Sequence, residues 1–218
     1  MYTLVFDTTA GGIAIGLYDD MKRLAKVEKI MEFGQAEALA CDVETMLKEH
    51  RLCFQQIGLL GVCTGPGSFT GVRAGLAFAR GLALGAPQLQ ITGISAFEVY
   101  AKMLKAANRA VFNAVVIETK RDDFYFQLFD ERLKKLTEPM ALRREDILQK
   151  LKKGQVSLIG DGVERLLATS SGLQIKSVEL SEMIDIDAAF EVTYQKFLAK
   201  SLDFPKPLYI RGADACVK

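Results

Sequence analysis

The chain has 218 residues, enough for one large domain or two small ones at about 150 residues per domain. Half of the residues are hydrophobic and a quarter are charged, a balance typical of globular proteins that excludes intrinsic disorder for most of the chain. The 28 basic and 27 acidic residues give a net charge of +1. Bulk charge therefore does not attract nucleic acid or an anionic membrane, and any such contact needs a local patch.

The sequence indicates neither a membrane-spanning helix nor an export signal. The long stretch without charge over residues 54–72 is interrupted by two glutamines and by the run Gly65-Pro66-Gly67. A bilayer helix needs about 20 mainly apolar residues without such breaks. The first strand reaches Asp7 with no basic region before it. The four cysteines include no Cys-x-x-Cys pair and are interpreted as reduced thiols, which predicts a cytoplasmic protein.

Apolar patterning predicts three strands, a helix, a fourth strand and a second helix in the first part of the chain. The strands cover residues 3–6, 13–18, 21–30 and 57–63, and the helices cover residues 35–50 and about 70–84. The apolar face of the first helix carries Ala36, Leu39, Ala40, Val43, Met46, Leu47 and His50.

The second part of the chain repeats this pattern with different residues. Strands are predicted over residues 111–117, 124–129, 133–140 and 156–159, and helices over residues 144–153 and 163–169. The acids that end the first strands, Asp7 and Glu118, are as far apart as those that end the second strands, Asp19 and Asp130, since 118 − 7 and 130 − 19 both give 111. The sequence therefore predicts duplicated βββαβα units, with an N-terminal lobe over residues 1–104 and a degenerate C-terminal lobe over residues 105–218.

An acid beside a small polar turn after the first strand is how each lobe begins in the superfamily of actin, Hsp70 and the sugar kinases, which this architecture resembles. The resemblance implies a two-lobed α/β fold of that type (the ASKHA fold). It assigns a vestigial nucleotide-binding turn to Asp7, Thr8, Gly11 and Gly12. The alternative interpretation is that Asp7 and Glu118 only cap their turns, as acids do routinely.

The most unusual segment is the glycine-rich run over residues 65–75. It follows a strand and opens a helix, where backbone N–H groups can bind an anion. It lacks the Lys-Ser/Thr pair of a P-loop, and Thr70 occupies the third glycine position of a dinucleotide-binding fingerprint. Pro66 excludes a nucleophile elbow, and Ser68 is predicted to be a helix N-cap. The run is therefore a weak candidate for a nucleotide site.

The second helix contains three glycines, each of which costs about 1 kcal/mol relative to alanine. One face combines Gly71 and Gly75 with Phe78 and Leu82, and the missing side chains permit close backbone packing there. The opposite face mixes arginine with apolar residues, as protein interfaces do. Its members are Arg73, Leu76, Ala77, Arg80 and Leu84. Two interpretations stay open: a partner interface, or a face covered within the monomer with the arginines at its rim.

Residue types that support catalysis or metal binding are scarce. The one histidine, His50, is predicted at the end of a helix, where it complements the helix dipole or packs. Cysteine and histidine at metal-ligand spacing do not occur. No catalytic and no metal-ligating residue is predicted.

Seven short motifs distributed along the chain together resemble one protein family. They are Phe6-Asp7-Thr8-Thr9, the run over residues 65–75, Gly81-Leu82-Ala83, Gly93-Ile94-Ser95-Ala96, the segment over residues 118–125, Gly160-Asp161-Gly162 and Pro207-Leu208-Tyr209-Ile210-Arg211. In these motifs the chain resembles the TsaB (YeaZ) family of bacterial accessory subunits. Gln35 departs from the family, which often has histidine there, and Glu118-Thr119-Lys120 replaces the family's Asp-Ala-Arg.

The resemblance implies a non-catalytic subunit that pairs with TsaD. The pair would support threonylcarbamoyl transfer to N6 of adenosine 37 in tRNAs that read ANN codons. A TsaE-type ATPase would act on the assembled pair, tRNA would be reached through the complex, and the chain alone would form a homodimer. This chain would require no cofactor, and ATP or ADP stays open at the level of the complex.

In the family, the two helices of the N-terminal lobe form the partner surface. The corresponding residues here are Gln35, Glu37, Leu39, Val43, Met46, Arg73, Leu76, Ala77, Arg80 and Leu84. The alternative function is an autonomous nucleotide-dependent phosphotransferase or peptidase of the same fold, in which Asp7 and the glycine turns would bind ATP. The scarcity of acid, base and metal ligands favours the accessory subunit.

Overall fold

The structure is a computed structural model that describes residues 1–169 and 172–210. It divides into two compact units. Unit 1 consists of Met1–Val99 together with Met183–Pro207, and unit 2 consists of Tyr100–Glu182 together with the described residues from Leu208 onward. Arg211, the last residue of the predicted C-terminal motif, lies outside the described residues, as does Cys216.

Ten strands and six α-helices make up the described part of the chain. In order they are β1 (Tyr2–Asp7), β2 (Gly12–Asp19), β3 (Lys22–Ile30), α1 (Gln35–Glu49), β4 (Ile57–Cys63), α2 (Phe69–Gly85), β5 (Gln90–Ile94), α3 (Ala96–Met103), β6 (Phe112–Glu118), β7 (Asp123–Phe129), β8 (Met140–Arg143), α4 (Arg144–Leu151), β9 (Gln155–Ile159), α5 (Val163–Leu166), β10 (Gln174–Glu179) and α6 (Ile186–Leu198).

The two units contain sheets of the same topology. The strand order is β3-β2-β1-β4-β5 in unit 1 and β8-β7-β6-β9-β10 in unit 2. In both sheets the first three strands along the chain are antiparallel, and the last two are parallel to the first. The predicted duplication and the two-lobed α/β architecture are therefore confirmed.

The sheet of unit 1 is covered on both faces. Because side chains alternate across a strand, Leu4 and Phe6 of β1 face α1 and α2 in one hydrophobic core. Helix α6 packs against β1, β2, β4 and β5. Gly61 of β4 permits its close approach, since a Cβ atom there would lie 2.2 Å from the hydroxyl oxygen of Thr193 on α6. The central strands are buried almost throughout for this reason.

Helix α6 corrects the predicted division of the chain at residues 104 and 105. It follows unit 2 in the sequence, yet it belongs to unit 1. The Tyr18 ring on β2 stacks on Phe190 of α6 with centroids 3.8 Å apart, and the Tyr18 hydroxyl donates to the carboxylate of Asp187 over 2.8 Å. The second face of the unit 1 sheet is apolar and must be covered. A division of the chain at residue 104 would leave that face exposed, because α6 lies beyond the division.

Unit 2 has a separate core in which α4 packs on β7 and β8. Its third strand is displaced from the prediction: β8 begins at Met140, and residues 133–139 form a turn and a short bridge between Lys135 and Phe129. The sequence patterns also did not indicate β5, α3, β10 or α6. Strand β10 has an irregular, largely exposed pattern that alternation does not reveal.

Candidate functional site

The turn that follows β1 is closed by the carboxylate of Asp7. One oxygen accepts the backbone N–H of Thr9 over 3.0 Å and the Thr9 hydroxyl over 2.6 Å, and the other accepts the N–H of Ala10 over 3.3 Å. Asp7 is 2% exposed. Burial raises the pKa of Asp7, although the hydrogen bonds from Thr9 and Ala10 oppose that shift. The geometry is that of an acid that caps its own turn.

Buried groups surround this turn. The thiol of Cys63, at the end of β4, lies 3.5 Å from the Thr9 hydroxyl. Burial and the neighbouring Asp7 raise the pKa of that thiol well above its ordinary value. Cys63 is therefore a neutral, inert core thiol rather than a reactive one.

The glycine-rich run lets the start of α2 pack directly on this turn. A Cβ atom on Gly71 would lie 1.8 Å from the carbonyl oxygen of Thr8, and one on Gly75 would lie 2.5 Å from the Thr8 hydroxyl oxygen. The Thr8 hydroxyl donates to the carbonyl of Gly71 over 2.7 Å. The side chain of Ser68 accepts the N–H of Gly71, as predicted for the N-cap. Close packing within unit 1 thus explains Gly71 and Gly75 but not Gly81, where no atom lies within 4 Å of a Cβ position.

The side chains predicted to form a nucleotide site do not fit a phosphate group. Asp7, Thr8 and Gly12 are buried, and the Asp7 and Thr8 oxygens are used in the hydrogen bonds of the turn. At Gly12 a Cβ atom would meet the Lys29 carbonyl oxygen of β3 at 1.9 Å, so this glycine serves strand pairing. Gly11 is exposed at the tip of the turn.

The corresponding turn in unit 2 is built around an ion pair. Glu118, at the end of β6, accepts two hydrogen bonds of 2.7 Å from the guanidinium of Arg165. It also accepts the N–H groups of Thr119 and Lys120. The Arg165 guanidinium carbon lies 3.8 Å from the centroid of the Phe124 ring. The pKa of Glu118 is lowered, because these hydrogen bonds outweigh a burial effect that alone would raise it.

Asp161 lies next to this pair, between two glycines. Its carboxylate accepts the N–H of Glu118 over 2.8 Å. Burial raises the pKa of Asp161 to about 6, and the charge of Glu118 adds to that shift. Over residues 1–169 and 172–210, no group of three or more His, Cys, Asp or Glu side chains is placed to hold a metal ion.

Only half of the residues predicted to bind a partner lie at the surface of α1 and α2. Glu37, Arg73, Ala77, Arg80 and Leu84 are exposed. We call their surface the outer face. Because Glu37 lies in the first turn of α1 while the other four lie along α2, the outer face is mainly a property of α2.

The other five predicted partner residues are buried, and their assignment to a surface is wrong. They are Gln35, Leu39, Val43, Met46 and Leu76. The last four belong to the core of unit 1, because the apolar stripes of both helices cover the sheet. Gln35 closes the loop between β3 and α1: its amide donates to the carbonyls of Met31 and Glu32 over 3.2 and 3.1 Å. This gives the residue that replaces the family's frequent histidine a structural role.

Two aromatic side chains that the sequence did not indicate accompany the arginines. The guanidinium carbon of Arg73 lies 3.8 Å from the centroid of the Phe69 ring. That of Arg80 lies 5.6 Å from the centroid of the Phe204 ring, and Arg80 donates to the carbonyl of Pro205 over 3.0 Å. Phe69 is 58% and Phe204 56% exposed. The spacing of Phe69 and Arg73, four residues apart on one helix, is the signal that could have revealed the first pair.

Helices long and apolar enough to cross a membrane are not found in the described ranges of the chain. Residues 35–202 match the model of the TsaD family, described as tRNA N6-adenosine threonylcarbamoyltransferase.

Curated relatives and solved structures agree with this match. A Haemophilus influenzae protein named tRNA threonylcarbamoyladenosine biosynthesis protein TsaB is 29% identical over 187 residues, which is 78% of this chain and 77% of the relative. The protein of the same name from Buchnera aphidicola is 23% identical over 74% of this chain and 76% of its own.

Structural similarity extends over both units. YeaZ from Pseudomonas aeruginosa has a TM-score of 0.80 and 17% identity, with 95% of this chain and 99% of that chain covered. A candidate N-acetylglucosamine kinase from Porphyromonas gingivalis has a TM-score of 0.50 and 7% identity, with 89% and 99% covered, so it shares the fold alone. Since the family model matches more than half of the chain and the named relatives are TsaB proteins, the chain belongs to the TsaB/YeaZ branch of the family that this model describes.

Proposed function

We propose that the chain is an accessory subunit of tRNA threonylcarbamoyladenosine biosynthesis that pairs with a TsaD-type protein. The pair supports transfer of the threonylcarbamoyl group to N6 of adenosine 37 in tRNAs that read ANN codons. The family match and the names of the relatives support this role. They do not favour the alternative of an autonomous phosphotransferase or peptidase.

The observation that carries the pairing is the outer face. It combines Ala77 and Leu84, the latter 86% exposed, with Arg73 and Arg80. Each of the two arginines lies against an exposed aromatic ring. Arginine, aromatic and aliphatic side chains in one patch have the composition of a protein interface, and stacked guanidinium groups offer donors to partner carboxylates. The five predicted residues that are buried hold α1 and α2 in place within unit 1.

The remaining parts of the proposal follow from the family resemblance. A homodimer forms through the outer face when the partner is missing, and a TsaE-type ATPase acts on the assembled pair. No cofactor is required by this chain, because the polar groups of the β1 turn already satisfy one another. Nucleotide enters only at the level of the complex.

Charge reversal on the outer face tests the pairing. We expect Arg73→Glu to weaken association with a TsaD-type protein by at least about tenfold, since an interface residue of this kind contributes about 1–3 kcal/mol. The Tm of the isolated chain should stay nearly unchanged, because Arg73 is exposed and its guanidinium lies over the exposed Phe69 ring at the surface. The measurement is titration calorimetry with the purified partner, followed by a tRNA modification assay with and without this chain.

The matched control reverses two charges in unit 2, Lys150→Glu together with Lys153→Glu. Both lysines are exposed. Their reversal should leave the pairing measured by calorimetry intact, which is the readout for which this variant is the control. Normal pairing of Arg73→Glu would show that the outer face is not the interface. Modification of tRNA by the isolated chain would contradict the accessory role itself.

A further inference from the structure

One end of the unit 2 sheet is bordered by two basic segments. Strand pairing places Phe129, the last residue of β7, opposite Asn113, and Phe112 beside Val156 of β9. The turn after β7 and the residues between α4 and β9 therefore lie at the same end of the sheet. The amide of Asn113 fixes this arrangement, since it donates to the carbonyl of Asp130 over 2.8 Å.

Six exposed cations lie in these two segments, which we call the basic end. They are Arg132, Lys134, Lys135, Lys150, Lys152 and Lys153. Residues 130–138 and 149–154 also contain three acids, Asp130, Glu131 and Glu138. The basic end thus has an excess of three positive charges, whereas the whole chain has an excess of one. This is the local patch that the net charge of the chain does not reveal.

Asp130, one of the two acids that begin this turn, is used by the backbone. One oxygen of Asp130 accepts the N–H groups of Arg132 and Lys134 over 2.9 and 2.8 Å. The carboxylate therefore shapes the turn, and the two basic side chains extend from a backbone that is fixed by hydrogen bonds. A fixed backbone lowers the entropy lost when these side chains bind an anion.

Several basic residues elsewhere are neutralised within the chain. Arg23, Lys26 and Lys29 of β3 form ion pairs with Asp187, Glu28 and Asp42. By contrast, among the residues that the structure describes, no carboxylate lies within ion-pair distance of Lys134, Lys150 or Lys153. The difference leaves the basic end with charge that a partner can neutralise.

We propose that the basic end contacts the phosphate backbone of the tRNA, so that this chain itself holds the substrate of the complex. The proposal rests on the proposed function and deepens it. Lysine ammonium groups bind phosphate as point charges without reading bases. Such contacts release counterions, which makes affinity fall steeply with salt, and they fit an enzyme complex that modifies many tRNAs.

The test measures tRNA binding by the pair of this chain with its TsaD-type protein. The variants are Lys150→Glu with Lys153→Glu, and separately Arg132→Glu with Lys134→Glu. Each should weaken tRNA binding on the order of tenfold near 0.1 M salt and reduce the slope of log affinity against log salt by about 2, one for each lost contact. The control is Lys22→Glu with Lys200→Glu, which reverses two exposed charges in unit 1. It should leave both quantities unchanged.

Three measurements keep the outcomes distinct. Unchanged affinity and slope in both basic-end variants, or an equal loss in the control, would overturn the proposal. Loss of pairing with normal tRNA affinity per assembled complex would also overturn it, because the basic end would then bind an acidic protein surface. The charge-neutral variant Lys150→Gln with Lys153→Gln and the Tm of each protein exclude misfolding. If the wild-type pair did not form, the proposed function would fail, and the same variants of the free chain would still test its binding of tRNA.

Discussion

The turns after β1 and β6 occupy the same place in two sheets of identical strand order, yet their acids are stabilised in different ways. Asp7 is buried and uses both oxygens within its own turn. Glu118 is partly exposed and is held by Arg165, which the helix of its own unit supplies. The same backbone turn can therefore be closed by a buried acid or by an ion-paired acid. The turn requires a hydrogen-bond acceptor at this position and does not require a particular residue beside it.

Glycine permits a close approach of backbone in both units, to the turn after β1 in unit 1 and to strand β6 in unit 2. A Cβ atom on Gly71 would collide with the Thr8 carbonyl at 1.8 Å, and one on Gly160 with the Val116 carbonyl at 2.2 Å. What differs is the helix that follows. Helix α2 has 17 residues and an exposed outer face, whereas α5 has four. The two units therefore share glycines that allow close backbone contact, and the helices that follow distinguish them.

The largest expected effect comes from filling the glycine contact. Gly71→Ala should destabilise the protein by about 3 kcal/mol or more, because overpacking against backbone cannot be relieved by a side-chain movement. Gly81→Ala is the control on the same helix: no atom lies within 4 Å of its Cβ position, so alanine should stabilise the helix by about 1 kcal/mol. Urea unfolding of both variants measures the difference. Equal effects would show that the turn does not require the close approach.

A smaller effect concerns pH and separates the two acids of unit 2. The pKa of Asp161 is raised to about 6, so the native state holds its proton more tightly than the unfolded chain. Its contribution to stability is therefore greatest below about pH 4 and declines as pH rises to about 6. Relative to the Asp161→Asn variant, the free energy of unfolding of the wild type should fall by up to about 3 kcal/mol between about pH 4 and about pH 6. Unfolding curves at several pH values would show a constant difference if Asp161 titrated normally.

The smallest expected effect is loss of the ion pair in unit 2. Arg165→Met keeps an apolar stem over Phe124 and removes the donors to Glu118, which should cost about 1 kcal/mol given the partial exposure of both groups. Since the pKa of Glu118 is lowered, the stability that the pair adds is present at neutral pH and is lost as pH falls below about 4. Because Arg165 also donates to the carbonyl of Asp123 over 2.8 Å, the difference between wild type and variant should shrink in acid rather than vanish. A difference that does not change with pH would assign it to packing and to that neutral hydrogen bond.

Strong periodicity explains what could be predicted. Strand β4 was predicted over its observed residues, and α1 and α2 within one residue at their starts, because long apolar repeats dominate the local conformation. Leu76 was misplaced because it directly follows Gly75 and the two lie only about 100° apart on the helix, so one face could not be separated from the next. Phe204 was missed because its contact with Arg80 joins residues that are 124 positions apart, since 204 − 80 gives 124.

The sequence by itself determined the duplication, the acid at each turn and the family, because these depend on spacing and residue type along the chain. Tertiary structure alone decided that α6 covers unit 1, that Gly71 and Gly75 of α2 serve the Thr8 turn, and which half of the predicted partner residues is exposed. It also brought the two segments of the basic end together. The physical reason is common to all four: burial and proximity between distant segments are set by which faces the sheets must cover, and no local pattern encodes that choice.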